Sequence, residues 1–217
     1  MASNLKKLTA LCEKYTSGFS ELLYELERET HLKTLNPQML SGHLQGRFLS
    51  LLSRLLQPKA ILEIGTFTGY AAICLAEGLA EGGVLHTIEV NPELEYISRK
   101  YFRKAGLENR IQQHTGNAFD IIPTLKEQFD IVFIDAGKRD NAAYFDLVIE
   151  RLRPGGFILV DNVLWSGKIG LKARDADTRS IRNFLEKVRS DERVETMLLP
   201  VRDGLLLAEK KPLQQRG

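Results

Sequence analysis

Cysteine is nearly absent from this sequence: 217 residues contain only Cys12 and Cys74. The two lie far apart and in no metal or redox spacing, which excludes a disulfide scaffold and a zinc ribbon. Both read as small buried hydrophobes of a reducing compartment. No run of about 18 apolar residues occurs, so no segment is expected to span a bilayer. The N-terminal stretch MASNLKKLTALCEKY is too polar for a secretory signal and patterns as an amphipathic helix. An excess of either charge is also missing. Lys and Arg number 30 against 28 Asp and Glu, and a formal +2 gives no bulk attraction to nucleic acid or to a membrane surface. Internal repeats and low-complexity tracts are lacking as well. These absences point to a cytoplasmic protein with no nucleic-acid or membrane partner.

What is present is enough apolar material for a packed core, 43% of the chain, at a length that suits one domain. Residues 1–57 read as an N-terminal helical segment, 58–211 as an α/β core, and 212–217 as a frayed tail. Within Leu5–Glu29, apolar residues recur at three and four (Leu5, Leu8, Leu11, Tyr15, Phe19, Leu22, Leu23, Leu26), which predicts one or two helices. Asn36-Pro37 breaks the pattern, and a further helix is expected from Ser41 to Leu56, stopped by Gln57-Pro58. Strand and helix then alternate. Strands are expected at Ala60–Ile64, Val84–Glu89, Arg110–Thr115, Phe129–Asp135 and Phe157–Asp161. Helices are expected to about Ala80, from Asn91-Pro92 to Ala105-Gly106, over Asp120–Gln128, over Asn141–Leu152, and from about Thr178 to Arg189. Val194–Leu199 and Leu205–Glu209 close the chain as a hairpin around Val201-Arg202-Asp203-Gly204. Such alternation implies a Rossmann-like α/β fold, a mostly parallel sheet with helices on both faces and an antiparallel C-terminal strand.

The chain is organised around AILEIGTFTGYAA, residues 60–72. It reads as a buried strand, a glycine turn and a helix start. Ligands of open α/β sheets bind outside the carboxyl ends of the strands, and glycine lets backbone approach them closely. The dinucleotide pattern G-x-G-x-x-G is not met, because Gly65 and Gly69 stand alone. Nor does a Lys-Ser/Thr pair follow, as a phosphate loop requires. A ligand without phosphates fits better, and S-adenosylmethionine (SAM) is the common one at such a turn. A packing glycine in an ordinary α/β domain is the competing reading.

Acidic residues fall at strand ends. Glu89 closes the second strand, where a carboxylate can accept both hydroxyls of a ribose. Gly116-Asn117-Ala118 follows the third strand, and small residues there would let an adenine lie against the backbone. Asp135 closes the fourth strand and Asp161 the fifth, with Asn162 directly after. Two carboxylates and an amide oxygen converging in one crevice make a hard-oxygen site that selects Mg2+, Mn2+ or Ca2+ over zinc. Lys138, three residues beyond Asp135, is suited by position to general-base work. Trp165, the single tryptophan, reads either as a flat wall for an aromatic substrate or as a buried anchor. Ser166–Asp177, with Gly167 and Gly170, has the composition of a lid.

Matched in order, LEIGTFTGY, IEVNPE, FDIVFIDAGK, RPGGFILVDNVLWSG and the C-terminal DTRSIRNFLEKVRSDERVETMLLPVRDGLLLAEKK carry a more specific signal than the turn alone. Over roughly Met39 to Lys211 the chain resembles the caffeoyl-CoA and catechol O-methyltransferase-like family of cation-dependent class I SAM enzymes. The resemblance implies that Ser41, Glu63, Gly65, Thr66 and Ala71 line the methionine end of SAM, with Glu89 at the ribose and Ala118 by the adenine. It implies Mg2+ on Asp135, Asp161 and Asn162, Asp135 facing cofactor and substrate as well, and Lys138 as the base. A small phenolic substrate and a homodimer are implied too. The family's run D-A-D-K-x-N-Y is altered here: Gly137 replaces the second Asp, Asp140 the Asn and Asn141 the Tyr. Ala71 replaces a usual Ser. A non-catalytic SAM-binding protein and, less favoured for want of a third glycine, a nicotinamide-dependent oxidoreductase are the alternatives.

Overall fold

The computed structural model describes residues 2–18, 20–171 and 175–212. Its centre is one seven-stranded sheet built from β1 (Ala60–Ile64), β2 (Val84–Glu89), β3 (Ile111–Thr115), β4 (Phe129–Ile134), β5 (Leu152–Asp161), β6 (Val194–Leu199) and β7 (Leu205–Lys210). The strand order is β3-β2-β1-β4-β5-β7-β6. Only β7 runs against the others, paired antiparallel to both β5 and β6. The chain reverses its direction of travel between β1 and β4, the place where an open sheet forms its crevice.

Successive side chains of a strand point to opposite faces, and here both faces are covered. Leu62 and Ile64 of β1 and Val132 and Ile134 of β4 join Phe145, Val148 and Phe184 on one face. Ile61, Ile131 and Phe133 join Leu49, Ile73 and Leu75 on the other. Full burial of such a side chain contributes about 1.5–3 kcal/mol. The centre of the sheet is therefore a firm platform for the residues at its carboxyl edge.

The helices are α1 (Ala2–Tyr15), α2 (Glu21–Lys33), α3 (Gly42–Leu56), α4 (Tyr70–Ala76), α5 (Glu95–Lys104), α6 (Ala118–Ile121), α7 (Asn141–Ile149) and α8 (Ala176–Arg189). The N-terminal pattern resolves into two helices, and Ser20 caps the second by accepting from Leu23 N–H at 3.3 Å. Phe19 and residues 213–217 of the expected tail lie outside the described residues. Helix α3 ends where expected, at left-handed Gln57 (φ 47°).

Three expectations shift. The helix after β1 stops at Ala76 rather than Ala80, because Gly78 lies directly against the Ser53 backbone of α3, where any side chain would collide. The helix expected over Asp120–Gln128 is only α6, followed by a 3-10 turn at Ile122–Thr124 that holds Pro123. Arg153-Pro154-Gly155-Gly156 is no turn outside the sheet but an irregular stretch within β5. Its register to β4 jumps from Phe129↔Leu152 to Ile131↔Phe157. Arg153 there pairs with Asp130, whose other oxygen accepts from Lys59 N–H at 2.7 Å and Ala60 N–H at 2.9 Å. No described helix is long and apolar enough to cross a membrane.

Candidate active site

A cavity of about 730 Å3 opens at the carboxyl edge of the sheet, over β1, β2 and β4. Its floor begins at Gly65, which has φ 102° and lies so close to β4 that a Cβ would strike the Asp135 carbonyl. Backbone bonds on both sides hold this point: Gly65 N–H donates to Ile88 O at 2.9 Å, and Asp135 N–H donates to Ile64 O at 2.9 Å. Gly69 has φ 91°, and a Cβ there would come within 2.7 Å of the Phe102 ring. The turn is thus a glycine-only crossing between two sheet strands and a helix, as AILEIGTFTGYAA suggested.

Glu89 reaches the cavity from β2. Its two oxygens accept from Phe67 N–H at 2.8 Å and Asn91 N–H at 2.9 Å, so the carboxylate is fixed before any ligand arrives. Gly116 and Ala118 form the neighbouring wall, where Asn117 accepts from Phe119 N–H at 3.0 Å. Phe119 stacks on Tyr144, with ring centroids 4.5 Å apart.

Asp135, Lys138, Asn162 and Trp165 line the same cavity. Lys138 Nζ lies 3.2 Å from Asp135 Oδ1 and donates to the Asp161 carbonyl at 3.4 Å. Burial pushes the Asp135 carboxyl up to about 6; the Lys138 ammonium opposes this and the Asp161 charge adds to it. Asp161 sits behind the wall, 1% exposed. Its Oδ1 accepts from Asn162 N–H at 2.7 Å, whereas its Oδ2 is buried without a hydrogen-bond partner. Trp165 Nε1 is likewise buried and unpartnered. Among the described residues no three His, Cys, Asp or Glu side chains gather as a metal cluster. The expected oxygen trio contains two carboxylates and the Asn162 amide.

Of the residues singled out in the sequence, Gly65, Glu89, Ala118, Asp135, Lys138, Asn162 and Trp165 share the cavity wall. Ser41, Glu63, Thr66, Ala71 and Asp161 are buried and lie outside that lining. Thr66 bonds to Thr87, which donates to Glu63 Oε2. Burial pushes the Glu63 carboxyl up to about 8, against the lowering effect of the Thr87 hydrogen bond. The expected lid is in part a 3-10 segment, Trp165–Gly170, with left-handed backbone at Trp165, Ser166 and Gly167; residues 172–174 lie outside the described ones. Phe67, Phe119 and Tyr144 escaped sequence reasoning, since an aromatic beside a strand end carries no signal that separates it from core.

Known proteins share both the sequence and the fold. A catechol O-methyltransferase from Niastella koreensis is 36% identical over 174 residues, which cover 76% of this chain and 79% of that one. The structure of an O-methyltransferase from Bacillus cereus in complex with S-adenosylhomocysteine is 32% identical and superposes with a TM-score of 0.88, covering 97% of this chain and 100% of that one. The O-methyltransferase TomG from Streptomyces achromogenes, solved in complex with SAM, is also 32% identical, with a TM-score of 0.87 over 95% and 96% of the two chains. The sequence profile described as O-methyltransferase matches residues 13–211, and with that span covering nearly every element above, the chain belongs to the O-methyltransferase family.

Proposed function

We propose that this protein moves a methyl group from SAM to one hydroxyl of a vicinal diphenol, assisted by a divalent cation. The observation that carries the reading is the gathering of Asp135, Lys138 and Asn162 on one wall with Gly65, Glu89 and Ala118. Glu89, already held by two backbone donors, would take the ribose hydroxyls, and Ala118 would lie by the adenine. Gly65 and Asp135 would meet the methionine end, on backbone shaped by buried Ser41, Glu63, Thr66 and Ala71.

The donors fit a hard cation. Asp135, Asp161 and Asn162 offer only oxygen, and the buried Asp161 Oδ2 has no protein partner, an arrangement that buried carboxylates seldom keep without a ligand. These three residues would hold Mg2+, Mn2+ or Ca2+. When bound, such an ion would lower the pKa of a coordinated hydroxyl and orient it.

In the transfer the carbon–sulfur bond breaks as the carbon–oxygen bond forms, and the sulfonium charge is discharged. Lys138 Nζ, beside Asp135, would take or relay the hydroxyl proton. The Trp165 ring would lie against the acceptor ring. Placement is a large part of the work, since well-oriented reactants can gain about 7–11 kcal/mol. The Gly137 departure is matched by a neighbour: a Cβ at 137 would lie 3.4 Å from Asp140 Oδ2, so the Asp140 carboxylate borders the space left by the missing side chain. A homodimer belongs to the same proposal, supported by the exposed apolar side chains Leu8, Leu11, Leu51 and Leu55 on α1 and α3.

The test is methyl transfer from SAM to a panel of catechols, with Mg2+ and with excess EDTA. Product that disappears in EDTA is the expected result. Product that persists in EDTA discards the cation, and SAM binding without any product favours a non-catalytic role.

A further inference from the structure

A second cavity, of about 660 Å3, is lined by Glu13, Glu27, His31, Gln38, His43 and Arg202 among others. The 3-10 turn Pro37–Met39 contributes to both. Met39 faces the first cavity, while Pro37 and Gln38 face the second.

Arg202 stands at the tip of the β6–β7 hairpin with φ 50°, a backbone conformation in which glycine is at ease and side chains are rare. Arginine has five N–H donors in a planar fork. Among the described residues they meet Gln38 O and Gln45 Oε1, each at 3.4 Å, near the limit of a hydrogen bond. No carboxylate pairs with Arg202 among the described residues. Beside it, Gln45 is fully buried and its Nε2 has no partner.

The backbone that carries Arg202 is fixed. Leu164 N–H donates to Asp203 O at 2.8 Å and Val163 N–H to Gly204 O at 3.1 Å. Ser166 N–H bonds the Asp203 carboxylate. The hairpin tip is therefore tied to the segment that carries Asn162 and Trp165. The carboxylates of the second cavity, Glu13 and Glu27, come from α1 and α2, and His31 Nδ1 is engaged with the Glu27 carbonyl at 2.9 Å.

Resting on the acceptor reading above, we infer that Arg202 is a specificity-determining residue: it holds an oxyanion, carboxylate or phosphate, on the tail of a diphenol whose hydroxyls lie by Asp135. The guanidinium fork matches either anion in a bidentate manner, and the tail would pass Met39 to reach it.

Binding is measured by calorimetry on protein loaded with S-adenosylhomocysteine and Mg2+. The ligands are catechol, 3,4-dihydroxybenzoate, 3,4-dihydroxybenzylphosphonate and benzoate. Wild type is expected to bind one of the anionic diphenols about tenfold or more tighter than catechol, the scale of a charge-assisted bond. The better of the two identifies the anion. Arg202→Gly should lose that preference and Arg202→Lys retain part of it. Glycine suits the left-handed turn, so Arg202→Gly should melt no lower than wild type. Equal binding of catechol and both acids by wild type, or a preference that survives in Arg202→Gly, overturns the inference. Benzoate separates the two proposals. Arg202-dependent benzoate binding with no diphenol methylated leaves the anion site standing and removes the diphenol reading.

Discussion

The two halves of the cavity are built differently. On the β1–β2–β3 side, positive φ is carried mainly by Gly65, Gly69 and Gly116, with Phe67 the exception. The key carboxylate there, Glu89, already has a donor on each oxygen. On the β4–β5 side, positive φ falls on Asn162, Trp165 and Ser166 as well as Gly167, and at the hairpin tip on Arg202 as well as Gly204. Two buried polar atoms on this side, Asp161 Oδ2 and Trp165 Nε1, have no partner. Backbone strain kept at residues that have side chains costs on the order of 1–3 kcal/mol each. The difference lies in what each half asks of its backbone. The first half needs backbone room and little else, so glycine supplies it. The second half needs side chains in places where the backbone resists them.

That contrast breaks most sharply at Asp161. Asp161→Ala should lower methyl transfer by on the order of a thousandfold, the scale of losing a preorganised charge contact, while cofactor affinity changes little. Single-turnover transfer measured beside calorimetric SAM binding checks this, and a parallel fall in both would mean that the two halves are not separable. Gly65→Ala probes the other half. The new Cβ would meet the Asp135 carbonyl at a backbone of φ 102°, at a cost of about 2–4 kcal/mol from strain and overpacking. Urea unfolding should show that loss together with weakened SAM binding; an unchanged midpoint would show that β1 and β4 can part at no cost.

Glu63 sharpens the comparison, being the buried group on the first side with an unpartnered oxygen, Oε1. Its carboxyl is raised from 4.5 to about 8 in the fold. The native state therefore holds a proton that the unfolded chain releases between those values, and stability falls as pH rises across that window. At pH 7 the penalty is on the order of 3 kcal/mol. Glu63→Gln should flatten the slope of stability between pH 5 and 8, with a gain at pH 7 of about 1–2 kcal/mol, since the amide must itself find a partner. Melting curves across that range would refute the assignment if wild type and variant ran parallel.

Much of this was readable in the chain itself. FDIVFI and AILEI are unbroken apolar runs because strands covered on both faces need no polar side, so β1 and β4 were found almost to the residue. Asp135 and Asn162 reach the cavity wall from strand ends, as their positions in the chain suggested, whereas Asp161 lies behind it. Other features depend on what meets across the fold. The early end of α4 comes where Gly78 meets the α3 backbone, a contact that residues 77–80 do not announce by themselves. The stacked pair His86 and His114, bonded at 3.0 Å, exists only through the β2–β3 register. Thr66 and Ala71 neighbour the glycine turn in sequence yet face inward. Arg202 looked like an ordinary turn residue until the hairpin was seen against Leu164 and Gln38.

Strand β7 pairs Leu205 with Asp161, so the last hairpin of the described fold brings its tip to the edge where the parallel strands end. During synthesis this hairpin leaves the ribosome after every other strand. A nascent chain can close the glycine turn and set Glu89 while β5 still lacks its neighbour and Arg202 is still in the exit tunnel. The order of translation thus makes the β5 side the later of the two described halves to be completed, and a chain released short of the hairpin would expose the β5 edge to strand pairing with other molecules.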